Sequence, residues 1–243
     1  MRDINKKIIA LIPARSGSER IKNKNIKILG TLPLIAHTIR SAIKSKIFDK
    51  IIVSTDSKKY ASLSKKFGAD IPFLRPKNIS KSNSPDYQWV NFTIQKLLKD
   101  ENIQYTHFFI LRPTSPFRTS KTIIRAWNLF NKIENAESLR AVEICKQHPY
   151  KMWNKNKNFI NPLFSKKEFQ QPFYNMQFKS LPKIYIQNAS LEISKISVLK
   201  SYKTITGKKI VPFFTKDYEG LDINQNYDFE YAKYLIKSKK VKK

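Results

Sequence analysis

The sequence predicts an α/β fold: a mostly parallel sheet with helices on both faces. Two observations carry that expectation. Short apolar runs of strand length alternate with stretches whose apolar residues recur at helical spacing. The connections between them are short, as in chains that wind helices around a parallel sheet.

Taken in order, "KIIALIP" (7–13) suits a buried strand, and "PLIAHTIRSAIKS" (33–45) a helix with Pro33 at its first position. "DKIIVST" (49–55) reads as a strand and "SKKYASLSKKFG" (57–68) as a helix ended by Gly68. "DIPFLR" (70–75) reads as a short strand, and "SPDYQWVNFTIQKLLKD" (84–100) begins as helices do. "THFFILR" (106–112), "SKTIIRAWNLFNKI" (120–133) and "LRAVEI" (139–144) continue the alternation. From about 146 to 185 the pattern fails in a segment rich in Lys, Asn, Pro, Phe and Tyr, read as a lid, an oligomerisation arm, or both. Strand patterns return at 183–193 and 208–214, and a last helix begins at "NYDFEYAKYLIK". The expected organisation is one domain over 1–236 carrying the arm, followed by a frayed basic tail over 237–243.

Composition narrows the class. At 243 residues with 41% hydrophobic and 12% aromatic side chains, the chain can bury a core. A net charge of +29 favours polyanionic partners (nucleic acid, anionic membrane or phosphorylated small molecules), although the abundance of Lys, Asn and Ile also fits a general compositional bias. The single cysteine, Cys145, forbids an intrachain disulfide and suits a reducing compartment as a core residue. The apolar stretch near the N-terminus contains Pro13 and is short for a secretion signal. No run reaches the roughly 18 apolar residues of a membrane span. A cytoplasmic location is the expectation. His37, His107 and His148 lack metal-site spacing, and there is no GxSxG elbow for a serine nucleophile.

Ligands of open parallel sheets sit beyond the carboxyl ends of the strands, and three loops there stand out. "ARSGSERIKNKN" (14–25) follows the first strand. Its Arg15, Ser18, Arg20 and Lys24 can surround a polyphosphate, and Gly17 allows close backbone approach. It matches neither GxGxxG nor the Walker pattern. "LRPTSPFRTS" (111–120) is stiffened by Pro113 and Pro116. In "YEGLDINQNYD" (218–228), Asp222 can ligate Mg²⁺ on a triphosphate, with Asn224 as a second oxygen or an orienting group. Alone, the first loop reads equally well as a solvated loop and the second as a rigid turn, while Asp222 reads more readily as a helix cap or turn residue than as a ligand.

Together, "IPARSGSERIKNKN", "IIVSTDS", "PFLRPKNIS", "LRPTSPFRT" and "LDINQNYD" resemble, in order, the signature segments of the acylneuraminate cytidylyltransferase family. The resemblance implies a Rossmann-like nucleotidyltransferase fold with an inserted dimerisation arm, and transfer of CMP from CTP to a nonulosonic sugar acid with Mg²⁺ as cofactor. It implies nucleotide binding by Ala14, Arg15, Ser16, Gly17, Ser18, Lys24, Asn25 and Arg75, with catalytic roles for Arg15, Lys24 and Asp222. It places Arg112, Lys151, Gln187, Asn188 and Glu192 toward the sugar, the metal on Asp222 and Asn224, and implies a homodimer.

The sequence departs from the family pattern in several places. Glu19 stands where many members have lysine, a contact that Arg20 or Lys22 can supply. Asn224 stands for an aspartate, Arg112 for a glutamine and Glu192 for a tyrosine, with no matching arginine before it. The nucleotide half therefore matches well and the sugar half poorly, which suggests a legionaminic- or pseudaminic-type acceptor, or another acid. The competing readings are an inactive or non-CTP relative and, last, a basic nucleic-acid-binding protein.

Overall fold

A computed structural model describes residues 6–164 and 172–241. Residues 1–5, arm residues 165–171 and the last two lysines of the expected tail lie outside the described residues. Two compact units are present: Met1–Ala141 with Asn188–Lys243, and Val142–Gln187 between them in the chain.

The elements begin with β1 (Ile8–Pro13), β2 (Ile28–Leu29), β3 (Leu32–Pro33), α1 (Leu34–Ser45), β4 (Lys50–Ser54) and α2 (Lys58–Lys66). They continue with α3 (Asp86–Glu101), β5 (His107–Ile110), α4 (Ser120–Lys132), β6 (Ser138–Ile144), β7 (Trp153–Asn156) and β8 (Phe159–Pro162). The chain then runs through β9 (Tyr185–Lys195), α5 (Ile196–Tyr202), β10 (Ile210–Phe214) and α6 (Asn226–Lys237).

The main sheet is mostly parallel, in the order β10-β6-β9-β5-β1-β4. β1 pairs in parallel with β4 and with β5, so the loops after these three strands leave from one edge. β9 runs antiparallel to β5, with Glu192 opposite Ile110. That reversal brings the first half of β9 beside the loop following β5.

Alternation along β1 covers both faces. Ile8, Ala10 and Ile12 join a cluster with α1, α2 and α4, while Ile9 and Leu11 join Trp89, Val90, Ile94 and Leu97 of α3. Each such fully buried Ile or Leu contributes roughly 1.5–3 kcal/mol, so β1 is the spine of the unit. A third cluster joins Ile21, Leu29 and Leu34 to Ile223, Phe229 and Ala232, and anchors α6 beneath the β1 loop.

Several details differ from the sequence expectations. Pro33 is the N-cap of α1 rather than its first residue. The expected strand over 70–75 reduces to one bridge between Ile52 and Asp70, because Pro72 and Pro76 offer no N–H to a ladder. α2 ends at Lys66, and Gly68 follows with a positive φ of 91° and its N–H on Lys65 O. The β2–β3 hairpin and the seven-residue α5 were not foreseen. Beyond α6, the N–H groups of Ser238, Lys239 and Lys240 all return to helix carbonyls, so the tail is tied down that far.

The second unit holds the antiparallel β7–β8 hairpin, three 3₁₀ turns and an aromatic cluster in which Tyr150 stacks on Phe173 at 4.2 Å. Cys145 is buried there, its thiol donating to Gln147 O.

Candidate active site

At the carboxyl edge of β1 and β4 the backbone turns out of the sheet. Ala14 is fully buried and its N–H donates to Ser54 O, which fixes where the loop starts. Ser16 donates through both its N–H and its hydroxyl to Asp56, each at 2.8 Å. Arg15 curls its guanidinium onto Gly17 O, and a Cβ on Gly17 would lie 3.2 Å from Arg15 Nη1. Buried Asn25 donates to Arg15 O, so the far end of the loop closes on its start.

Opposite this loop runs the segment before α6. The capping box of that helix sets its path: Asp228 Oδ2 accepts from the N–H groups of Asn224 and Gln225 at 2.8 and 2.7 Å. The N–H of Ile223 donates to Thr114 O, tying the segment to the loop after β5. Lys24 Nζ donates to Ile223 O at 2.7 Å. Burial lowers the Lys24 pKa, Asp222 opposes that, and Arg20 and Arg15 push it down further. Arg20 is thus a cation close enough to Lys24, with Arg15, for its charge to be felt there. Asn224 Nδ2 donates to Asp222 Oδ2 at 2.6 Å, while the buried Asp222 Oδ1 has no hydrogen-bond partner.

A second cluster lies at the ends of β4 and β5. Arg75 is buried, donates to the Ser54 hydroxyl and carbonyl, and stacks over the Trp89 ring at 4.7 Å. Its pKa is pushed down to about 10 by burial, with Asp56 and Asp86 opposing the fall. Trp89 Nε1 donates to Asp86 Oδ1 at 2.7 Å. Arg112 Nη2 meets Asp86 Oδ2 at 2.5 Å and Glu192 Oε1 at 2.9 Å, and Glu192 Oε2 pairs with Arg140. Burial alone would lower the Arg112 pKa, but Glu192 and Asp86 more than reverse that and hold it above its usual value. Behind them the buried Arg118 holds the carbonyls of Arg112 and Ser190 and the Thr38 hydroxyl, locking the loop after β5 to β9 and α1.

This arrangement can hold a phosphorylated ligand along the β1 loop, with the arginine–carboxylate chain beside it. A family model described as cytidylyltransferase matches residues 9–235. The chain belongs to the cytidylyltransferase family. It is 32% identical over 228 residues to an N-acylneuraminate cytidylyltransferase of Escherichia coli O18:K1:H7, covering 93% of this chain and 51% of that protein. It is 39% identical over 122 residues to a CMP-N,N'-diacetyllegionaminic acid synthase of Legionella pneumophila, covering 49% of this chain and 51% of the other. Each match thus spans about half the length of the relative. The fold is that of a CMP:2-keto-3-deoxy-manno-octonic acid synthetase solved with CTP, at a TM-score of 0.69 and 12% identity, covering 96% of this chain and all of that one.

The structure brings together most of the cytidylyltransferase residues expected from sequence. Ala14, Arg15, Ser16, Gly17, Ser18, Lys24 and Asn25 share the β1 loop, and Asp222 and Asn224 face it through Lys24. Asn224 turns its amide nitrogen onto Asp222, which orients the carboxylate. Asn188 holds Thr215 and the Ser190 N–H on the first unit. Lys151 and Gln187 belong to the second unit, where Lys151 donates to Tyr174 O. Sequence reasoning missed Asp56, Asp86, Trp89, Arg118 and Arg140. Asp56 and Arg118 lay in plain view inside two of the family segments, "IIVSTDS" and "LRPTSPFRT".

Proposed function

We propose that this cytidylyltransferase joins CMP from CTP to the anomeric hydroxyl of a nonulosonic sugar acid and releases pyrophosphate. The observation that carries it is the gathering of Arg15, Arg20 and Asp222 around Lys24, whose Nζ donates to Ile223 O at the carboxyl edge of β1. In the reaction the anomeric oxygen bonds to the α-phosphorus and the bond to the bridging oxygen breaks. Pyrophosphate leaves with that electron pair, and the hydroxyl proton passes to solvent. Such chemistry rests on positioning and charge neutralisation more than on a covalent enzyme group.

Arg15 and Lys24 hold the triphosphate, and Lys24 follows the charge that grows on the leaving group. Asn25 and Arg75 meet the nucleoside, while Arg112, Asn188 and Glu192 form the acceptor side. Among the described residues no three His, Cys, Asp or Glu side chains gather to hold a metal unaided. The orphaned buried Oδ1 of Asp222 still fits Mg²⁺, which is commonly bound by one or two carboxylates together with substrate phosphates. Bound there, Mg²⁺ would neutralise phosphate charge, with Asp222 as its ligand and Asn224 as the group that orients it. The second unit exposes Trp153, Phe159, Ile160 and Phe164, which supports its covering by a second copy of the chain. No described helix is long and apolar enough to cross a membrane, and a cytoplasmic site of action accompanies a CTP-dependent reaction.

The test is pyrophosphate release from CTP and Mg²⁺ across a panel of nonulosonic acids, with UTP and ATP as controls. Release with CTP and one acid is expected. No release, together with no rise in melting temperature on adding CTP, overturns the reading.

A further inference from the structure

The two clusters at the carboxyl edge of the sheet share one side chain. Asp86 opens α3 and spends its two carboxylate oxygens in different directions. Oδ1 accepts from Trp89 Nε1, and the Trp89 ring carries the Arg75 guanidinium at 4.7 Å. Oδ2 accepts from Arg112 Nη2, whose other bond goes to Glu192. The chain of contacts therefore runs Arg75, Trp89, Asp86, Arg112, Glu192, Arg140, with Asp86 at its middle. Arg75 and Asp86 also feel each other's charge directly.

A carboxylate in the first turn of a helix is ordinarily explained by the helix dipole alone. Here that explanation is insufficient. Asp86 is charge-paired with Arg112, 26 residues away in sequence, and fixes an indole that forms the floor under a second arginine. Both Arg112 bonds use Nη2, so its Nε and Nη1 have no partner among the described residues and remain for an oxyanion. Because Glu192 is held on its far side by Arg140, the Arg112 guanidinium is clamped between two carboxylates that are themselves fixed.

We propose that Asp86 is a positioning residue that serves both substrates at once, fixing Arg75 for the nucleoside through Trp89 and Arg112 for the carboxylate of the acceptor. This rests on the functional reading above, in which Arg75 faces CTP and Arg112 faces the sugar acid. A residue held in common by two half-sites makes both affinities answer to one substitution.

The test compares wild type, Asp86→Asn, Trp89→Phe and Arg112→Gln. CTP affinity is measured by titration calorimetry without acceptor, and acceptor KM at saturating CTP. Asp86→Asn is expected to weaken CTP about fivefold and raise acceptor KM about tenfold, at the scale of ordinary coupling energies. Trp89→Phe should affect CTP alone and Arg112→Gln the acceptor alone. Adding Asp86→Asn to Arg112→Gln should leave acceptor KM near that of Arg112→Gln. A fall in melting temperature with both affinities intact, or a loss confined to one substrate, overturns the proposal. If Asp86→Asn does not fold, CTP affinity unaltered in Trp89→Phe overturns it. If the wild type turns over no acid in the panel, the acceptor reading has failed, and the CTP titrations still decide the role of Asp86: unchanged affinity in Asp86→Asn overturns it.

Discussion

The two halves of the site handle charge in opposite ways. Around Lys24, the cations Arg15 and Arg20 share the neighbourhood with Asp222, and one oxygen of that carboxylate is buried without a partner. Around Arg112, two arginines and two carboxylates alternate as ion pairs, although Glu192 Oε2, paired by charge with Arg140, accepts no hydrogen bond. On the proposed function, the first half takes an anion and a cation from outside. The second supplies its own counter-charges and presents a fixed shape. Groups in the first half should therefore cost activity when removed, and groups in the second should cost stability as well.

The largest effect expected belongs to the first half. Lys24→Ala and Asp222→Asn should each lower kcat by roughly 10²–10³-fold, the scale of losing one preorganised electrostatic contact in a transition state. Melting temperature should change little in Lys24→Ala, since removing a buried cation offsets the loss of its bond to Ile223 O and its attraction to Asp222. Steady-state pyrophosphate assays with thermal scans check both, and a Lys24→Ala protein that lost stability rather than turnover would erase the contrast.

Smaller, and in stability rather than rate, is the response of the second half. Glu192→Gln takes the carboxylate from between Arg112 and Arg140 and should cost up to about 3 kcal/mol in urea unfolding, the lower end for breaking a buried pair because both arginines are partly exposed. Adding Arg112→Gln should return part of that loss, so the two changes are non-additive by about 1 kcal/mol. Strict additivity would show that the ion pairs are spectators.

The smallest effect sharpens the comparison through pH. The folded Lys24 pKa lies below that of a free lysine, so between the two values the unfolded chain binds more protons and stability rises with pH. A bound triphosphate draws that pKa back up, so CTP affinity should fall as pH rises through the lowered value. Titrations between about pH 7 and 10 should show a decline that Lys24→Met removes.

The β1 loop was legible because its residues are contiguous: an apolar strand followed at once by Arg15, Gly17 and Lys24 offers a phosphate loop or a solvated turn, and the resemblance to a family chose between them. The acceptor half was not, because its logic is pairwise across distance. Arg112 and Glu192 each read as a departure from the family pattern. The reversal of β9 against β5 brings them together as one ion pair, and nothing local to either residue could announce it. Asp56 was quoted within its motif, yet its partner Ser16 lies 40 residues earlier on the neighbouring strand's loop. The β7–β8 hairpin escaped notice because "WNKNKNFINP" lacks the apolar alternation of a half-buried strand, and its residues are almost all exposed.

The bond from Lys24 to Ile223 closes a span of 199 residues, and Ile223 is itself held by Thr114. Three stretches far apart in the sequence must therefore meet before the pocket exists. Contacts of such separation carry a loop-closure entropy that the packing of Phe229 and Ala232 on Ile21 and Leu34 has to offset. A chain with the β1 loop in place but α6 undocked has Lys24 without its Ile223 acceptor.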